Sequence, residues 1–262
     1  MITLNEETED KAEKAFVIAG INGDIGREFA TRLQDYGKVF GISRKKDRLD
    51  GIIYEHIACD LLQPKLVQEM FSQLGPFKDM TYIHLPGRFQ FQDENHPIKD
   101  RNGDGIDDDI FRTNVETFRN VIPYLFNDLL ACPTTTLKLV AIGSASDLYA
   151  IPYWHSFTHS KNELRRDFRA MYGNPSTYGR VGSLFINVST TEGRQLSGER
   201  PYISKQYLLT PKEIVDQSMP YMLDKKPACV EVTILKPNPD FEKEDFLKPE
   251  EIRKRWYRDM YG

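Results

Sequence analysis

Apolar and polar positions along the chain fall into two alternating kinds of segment. Short, nearly unbroken apolar runs stand at 15–19, 38–43, 52–58, 80–85, 137–142, 182–188 and 229–235. Runs of this length without alternation suit strands buried on both faces of a parallel sheet. Between them lie stretches of helical period. Ile25, Phe29 and Leu33 recur at spacing four, 64–74 follows Pro64, and 110–127 sets Phe111, Val115, Phe118, Ile122, Leu125 and Phe126 on one face. Pro123 is expected to kink the last turns of that helix. A further helix begins near His155, and Thr210, Pro211 and Glu213 make a strong helix start: N-cap, first position and third position. Strand and helix in strict alternation predict an α/β fold, a Rossmann-like, doubly wound, mostly parallel sheet of seven strands with helices on both faces. The polar start, residues 1–14, reads as a loose tail, 15–236 as the domain, and 237–262 as an extension. Ile252, Trp256, Tyr257 and Met260 give the extension an amphipathic helix that docks on its own domain or a partner.

The first strand runs into AGINGDIG, where Gly20, Gly23 and Gly26 form G-x-x-G-x-x-G ahead of a helix. In a strand-to-helix turn one glycine permits the reversal, one lets backbone N–H groups approach a pyrophosphate, and one lets helix and strand pack closely. The helix N-terminus adds a positive dipole end, so Gly20, Asn22, Gly23, Asp24, Ile25 and Gly26 are the candidate dinucleotide contacts. The second strand ends in Ser43-Arg44-Lys45-Lys46, with three cations and no acid where an acid would accept from a free ribose 2′-OH. That favours NADP(H) over NAD(H), with Arg44 on the 2′-phosphate. After the third strand, Asp60 either accepts from the adenine amino group or caps the following helix.

Composition narrows the function classes. The 262 residues suffice for one large α/β domain, and a net charge of -4 gives no basic field for nucleic acid, so a small-molecule substrate is expected. Three scattered cysteines, Cys59, Cys132 and Cys229, fit reduced thiols in a cytoplasmic protein. No apolar run reaches membrane-spanning length and the start has no signal-peptide pattern.

Together these features resemble the short-chain dehydrogenase/reductase family: the glycine turn, Arg44 after the second strand, Cys59-Asp60-Leu61 after the third and Gly87 after the fourth. The turn has the G-x-x-G-x-x-G form of extended and atypical members. The family's fourth strand usually ends in N-N-A-G, and here His84-Leu85-Pro86-Gly87 keeps only the glycine. The resemblance implies cofactor contacts from Leu61, Gly87 and Lys161 as well. It places the family's Ser, Tyr and Lys frame on Ser144, Phe157 and Lys161, thirteen and four residues apart, with the tyrosine replaced by phenylalanine. In the family the phenol protonates a carbonyl oxygen, the lysine lowers the phenol pKa and holds the nicotinamide ribose, and the serine orients the substrate oxygen. Asn114 stands where the family's asparagine props a water and the lysine. Tyr149, Tyr153, His155 and His159 stand nearby, each either a packing or surface residue or a replacement for the missing acid. The family's Pro-Gly after the sixth strand is here Ser189-Thr190-Thr191-Glu192-Gly193, with Thr190 able to bond the carboxamide, and the segment to Tyr207 resembles the family's substrate lid. Pairing through the helices that carry Asn114 and Lys161 would make a homo-oligomer.

One stretch, 88–111, breaks the rhythm. Asp100, Asn102, Asp104, Gly105 and Asp108 match positions 1, 3, 5, 6 and 9 of a calcium loop, but position 12 is Phe111. The expectation is no metal: an acidic surface loop whose Asp107 to Asp109 favour the next helix N-terminus, with calcium as the alternative. Two functions stay open: an NADP(H)-dependent oxidoreductase on a hydroxyl or carbonyl, with atypical proton donation, or a catalytically silent cofactor-binding or scaffold protein.

Overall fold

The computed structural model describes residues 13–45, 49, 51–74, 77–224, 226–239 and 243–262. Residues 1–12 of the expected tail, and Lys46, lie outside the described residues. Seven parallel strands form one sheet in the order β3-β2-β1-β4-β5-β6-β7, namely β1 (Lys14–Ala19), β2 (Lys38–Ser43), β3 (Glu55–Ala58), β4 (Asp79–His84), β5 (Thr136–Ile142), β6 (Val181–Val188) and β7 (Cys229–Ile234). The order reverses between β1 and β4, the crevice where open α/β sheets bind ligands.

Alternate residues of β1 explain the two layers. Ala15, Val17 and Ala19 face one buried cluster with Phe118, Leu164 and Phe168, and Phe16 and Ile18 face another with Phe29, Leu33, Ile214 and Val215. The helices are α1 (Asp24–Leu33), α2 (Pro64–Gln73), α3 (Asp108–Phe111), α4 (Thr117–Arg119), α5 (Ile122–Ala131), α6 (Ser146–Tyr149), α7 (His155–Tyr172), α8 (Arg194–Glu199), α9 (Pro211–Leu223) and α10 (Pro249–Tyr261). The α9 start carries the full capping box, with the Thr210 and Glu213 side chains bonding each other's backbone N–H.

Several boundaries differ from expectation. Lys14, assigned to the tail, is the first residue of β1, because Glu13 O already accepts from Lys78 N and Asp79 N beside β4. The third strand is only Glu55–Ala58, since β2 offers it partners from Phe40 to Ser43 alone. The helix expected over 110–127 is three pieces. A π turn, Arg112–Glu116, joins α3 to α4, and the chain breaks at Asn120 and Val121 before α5 begins. Pro123, expected as a kink within one helix, is instead the second residue of α5, where the N–H it lacks has no helical partner to miss.

The extension docks on its own domain. Ile252 and Trp256 of α10 pack with Phe91, and around them lie Phe89, Ile151, Tyr153, Trp154, Leu247 and Met260. This third cluster lies outside the two sheet layers and roofs a cleft bounded by the loops that follow β1, β4 and β5.

Candidate active site

The cleft holds two adjoining cavities of about 770 and 1210 Å³ that share Gly20, Gly23, Leu85, Gly87, Arg88, Phe89 and Trp256 as a wall. At one end is the glycine turn. Gly20 has φ +85, in the left-handed region that glycine occupies without strain, and a Cβ there would lie 3.3 Å from Leu85 Cβ and Pro86 N. A Cβ at Gly26 would lie 2.5 Å from Gly20 O and 2.8 Å from Ile21 Cα, so close packing of α1 under the turn requires glycine. Asn22 Nδ2 ties the turn to the end of β2 by donating to Ser43 Oγ at 3.0 Å and Lys45 O at 3.2 Å.

The larger cavity is lined by Asn22, Ser43, Arg44, Asp60 and Leu61. Arg44 and Lys45 are exposed at the strand end, and no hydrogen bond or ion pair joins the Arg44 guanidinium to another described residue. Asp60 Oδ1 accepts from Leu62 N at 3.0 Å, which keeps its carboxylate at the cavity wall. Burial beside Asp60 and Glu69 pushes the Cys59 thiol up to about 11, so it is an unreactive part of that wall.

The smaller cavity gathers Asp24, Ile25, Gly26, Gly87, Ser144, Phe157, Lys161 and Thr190. Lys161 is 5% exposed, and its Nζ donates to Ile142 O at 2.9 Å. Desolvation lowers it to about 8, and no carboxylate among the described residues compensates. The ammonium lies 5.5 Å over the Phe157 ring, one helical turn earlier on α7. Phe157 packs edge-on against Phe89, with ring centroids 5.1 Å apart. Ser144 Oγ, at the end of β5, accepts from Ser146 N at 3.1 Å. His84, at the end of β4, is fully enclosed, and burial together with the Lys161 charge pushes its imidazole down to about 3. It is therefore neutral.

Asn114 is brought to this region but lines neither cavity. Its side chain accepts from Arg88 N at 2.6 Å and donates to Arg88 O at 3.0 Å and Ser160 Oγ at 2.8 Å. It pins the loop after β4 to α7, and these bonds go to Arg88 and Ser160 rather than to Lys161. Of the replacement acids, Tyr149 lines the smaller cavity, whereas Tyr153, His155 and His159 line neither. Tyr153 packs under Arg253 and against Phe91, His155 is exposed at the start of α7, and His159 lies 6.0 Å from Phe111.

In the loop 100–108, the carboxylates are spent on the chain. Asp100 accepts from Gly103 N, Asp104 N and Gly105 N, Asp104 from Ile106 N, and Asp108 from Arg101 N and Asn102 Nδ2. Asp107 is the N-cap of α3, accepting from Ile110 N at 3.0 Å. Among the described residues no group of three or more His, Cys, Asp or Glu side chains is placed to hold a metal.

Sequence reasoning missed the roof. Trp154, Phe89 and Trp256 wall the smaller cavity, and Arg200 lies 4.0 Å over the Trp256 ring while ion-paired to the buried Asp259. The amphipathic pattern of the tail was visible, but its direction of docking was not. Arg194 was also missed; it follows Gly193 in the segment after β6 and reaches back to Asp24 and Asn22.

No protein-family model and no curated protein matches the sequence. Solved structures do match in fold. An alcohol dehydrogenase from the archaeon Thermococcus sibiricus, complexed with 5-hydroxy-NADP, superposes with a TM-score of 0.69 at 18% identity, over 86% of this chain and 98% of that one. A short-chain dehydrogenase from Burkholderia cenocepacia J2315 in complex with NADP gives 0.69 at 15%, covering 94% and 98%. Pseudomonas aeruginosa RhlG, in an NADP active-site complex, gives 0.64 at 15%, covering 85% and 95%. The fold is that of short-chain dehydrogenases/reductases. No helix among the described residues is long and apolar enough to cross a membrane.

Proposed function

We propose that the chain is an NADP(H)-dependent oxidoreductase acting on a hydroxyl or carbonyl of a small apolar molecule, with a proton route that does not use a tyrosine at the family position. The observation that carries this reading is Lys161: a buried cation without an acidic partner among the described residues, on the floor of a cleft that continues from the glycine turn. A buried charge kept without a counter-charge costs stability, so its retention fits a role on a ligand. The residues present fit a dinucleotide. Gly20, Gly23 and Gly26 leave room for close backbone approach, Arg44 stands exposed at the end of β2 for a 2′-phosphate, Asp60 and Leu61 wall the adenosine end, and Thr190 lines the nicotinamide end with Gly87.

When bound, the cofactor supplies or accepts the hydride. The chain's own residues do the rest. Lys161 binds ribose hydroxyls, and Ser144 orients the substrate oxygen. The Lys161 ammonium, close to half-protonated near pH 8, delivers the proton to that oxygen through cavity solvent. Phe89, Trp154, Phe157 and Trp256 exclude water and hold an apolar ring or chain. The test is carbonyl reduction with NADPH across aromatic and aliphatic aldehydes and ketones, for the natural chain and Lys161→Ala; the reading expects turnover that the variant loses.

A second reading is favoured by Phe157 itself: a cofactor-binding protein without turnover. Phenylalanine removes the positioned acid, and of the four nearby replacements only Tyr149 lines the cavity. NADPH binding without turnover of any member of that panel decides for it.

A further inference from the structure

Asp24 is the first residue of α1, so its carboxylate sits at the helix end where the dipole and free N–H groups favour an anion. The reading above places the cofactor pyrophosphate at the same turn. Two anions there repel unless a cation stands between them.

Arg194 is that cation. Its backbone N donates to Asp24 Oδ2 at 2.9 Å, its Nε to Asp24 Oδ1 at 3.1 Å, and one Nη to the carbonyl oxygen of Asn22. The side chain thus spans the glycine turn from the α1 end to Asn22. Gly193 permits the approach, since a Cβ there would lie 3.0 Å from Asp24 Oδ2. The pair is largely exposed, with Arg194 at 65% and Asp24 at 33%, so it adds little to stability and its value lies in where it holds the guanidinium. A guanidinium has five N–H donors, and two are used here, which leaves three for an anion without releasing Asp24.

We propose that Arg194 is a ligand of the cofactor pyrophosphate, carried by the lid and held over the glycine turn by Asp24. This rests on the NADP(H) reading and deepens it: closing of the 193–207 segment and binding of the dinucleotide become one event, because the first residue of α8 belongs to both. The arrangement also explains how an acidic side chain is tolerated in the turn. Asp24 orients the arginine, and the arginine offsets the charge of Asp24.

The experiment is isothermal titration of NADPH into the full chain, for the natural protein, Arg194→Gln, Asp24→Asn and the double variant. Arg194→Gln should weaken NADPH by about tenfold, losing a charged phosphate contact and uncovering Asp24. In the Asp24→Asn background the same change should cost about threefold, because the carboxylate to be uncovered is gone. Circular dichroism of each variant should match the natural chain, since both side chains are on the surface. Arg194→Gln binding NADPH within twofold of the natural chain would overturn the inference while leaving the cofactor reading intact, and an equal loss in both backgrounds would overturn the role of Asp24. A natural chain that takes up no NADPH overturns both the inference and the reading beneath it.

Discussion

The two ends of the cleft are built by different means. The end proposed for the dinucleotide is built largely on backbone: a glycine turn whose geometry admits no Cβ at Gly26, the ends of β2 and β4, and a helix N-terminus. The end proposed for the substrate is made of side chains brought from five places far apart in sequence: Phe89 after β4, Ser144 after β5, Phe157 and Lys161 on α7, Arg200 at the end of α8 and Trp256 on α10. Backbone cradles tolerate almost no substitution, whereas side-chain walls can change their chemistry residue by residue while the fold stands. Set against the family that the sequence resembles, departures fall at both ends. The glycine turn has the less common G-x-x-G-x-x-G form and Thr190 stands in place of a Pro-Gly residue, while Phe157 replaces the tyrosine.

The comparison can be broken at either end. The largest expected effect is at Gly26, where alanine would meet Gly20 O and Ile21 Cα, backbone atoms that cannot rotate away. Gly26→Ala should cost about 3 kcal/mol, roughly 6–12 °C in Tm for a chain of this size, and calorimetry of apo protein reads it directly. A melting temperature within a degree of the natural chain would show that the turn is not rigid.

At the substrate end the expected effect is on rate, with stability nearly unchanged. Phe157→Tyr restores a phenol beside the Lys161 ammonium, in a ring position already set by packing on Phe89. NADPH-dependent turnover of small ketones and diketones should rise by about a hundredfold; an unchanged rate would show that the cavity no longer presents a carbonyl to that position.

Lys161 sharpens the contrast through pH. Its folded pKa, about 8, lies below the 10.5 of the exposed side chain, so between those values the unfolded chain binds more protons than the folded one. Stability of the natural chain should therefore rise with pH through that window, relative to Lys161→Met, in urea unfolding at pH 7.5, 9 and 10.5. Parallel pH dependences for the two proteins would mean that Lys161 is as well solvated folded as unfolded. Smaller again is Arg44→Ala, expected to weaken NADPH about tenfold and leave NADH unchanged, read by titration of each. At the bottom of the order is Asp104→Ala, whose side chain bonds only the backbone of Ile106 among the described residues. Calcium titration of either protein should give no heat, and a saturable heat that the variant loses would establish a metal loop.

What could be read from the sequence follows the same line. The seven strands, the capping box at Thr210 and the glycine turn were legible because each is local: a short apolar run, an N-cap with its Glu three residues on, three glycines between strand and helix. The break at Asn120 was not legible, since the apolar face runs on from Phe118 through Ile122 and only backbone geometry shows the π turn. The frame of Ser144, Phe157 and Lys161 could be placed through the family resemblance, and the structure brings all three to one cavity. The partners of Asn114 depend on a loop 26 residues away and could not be read from its helix. Arg194, Arg200 and Trp256 act across separations of 56 to 172 residues, at which local pattern carries no signal.

The most direct test of the central claim is a thermal-shift titration of the natural chain with NADPH and with NADH at equal concentrations. A ligand that binds only the folded state stabilises it by RT ln(1 + [L]/Kd), about 2.7 kcal/mol at a hundredfold excess over Kd, or roughly 5–11 °C here. The account predicts a shift of that size with NADPH and a distinctly smaller one with NADH. No shift with either nucleotide would contradict it.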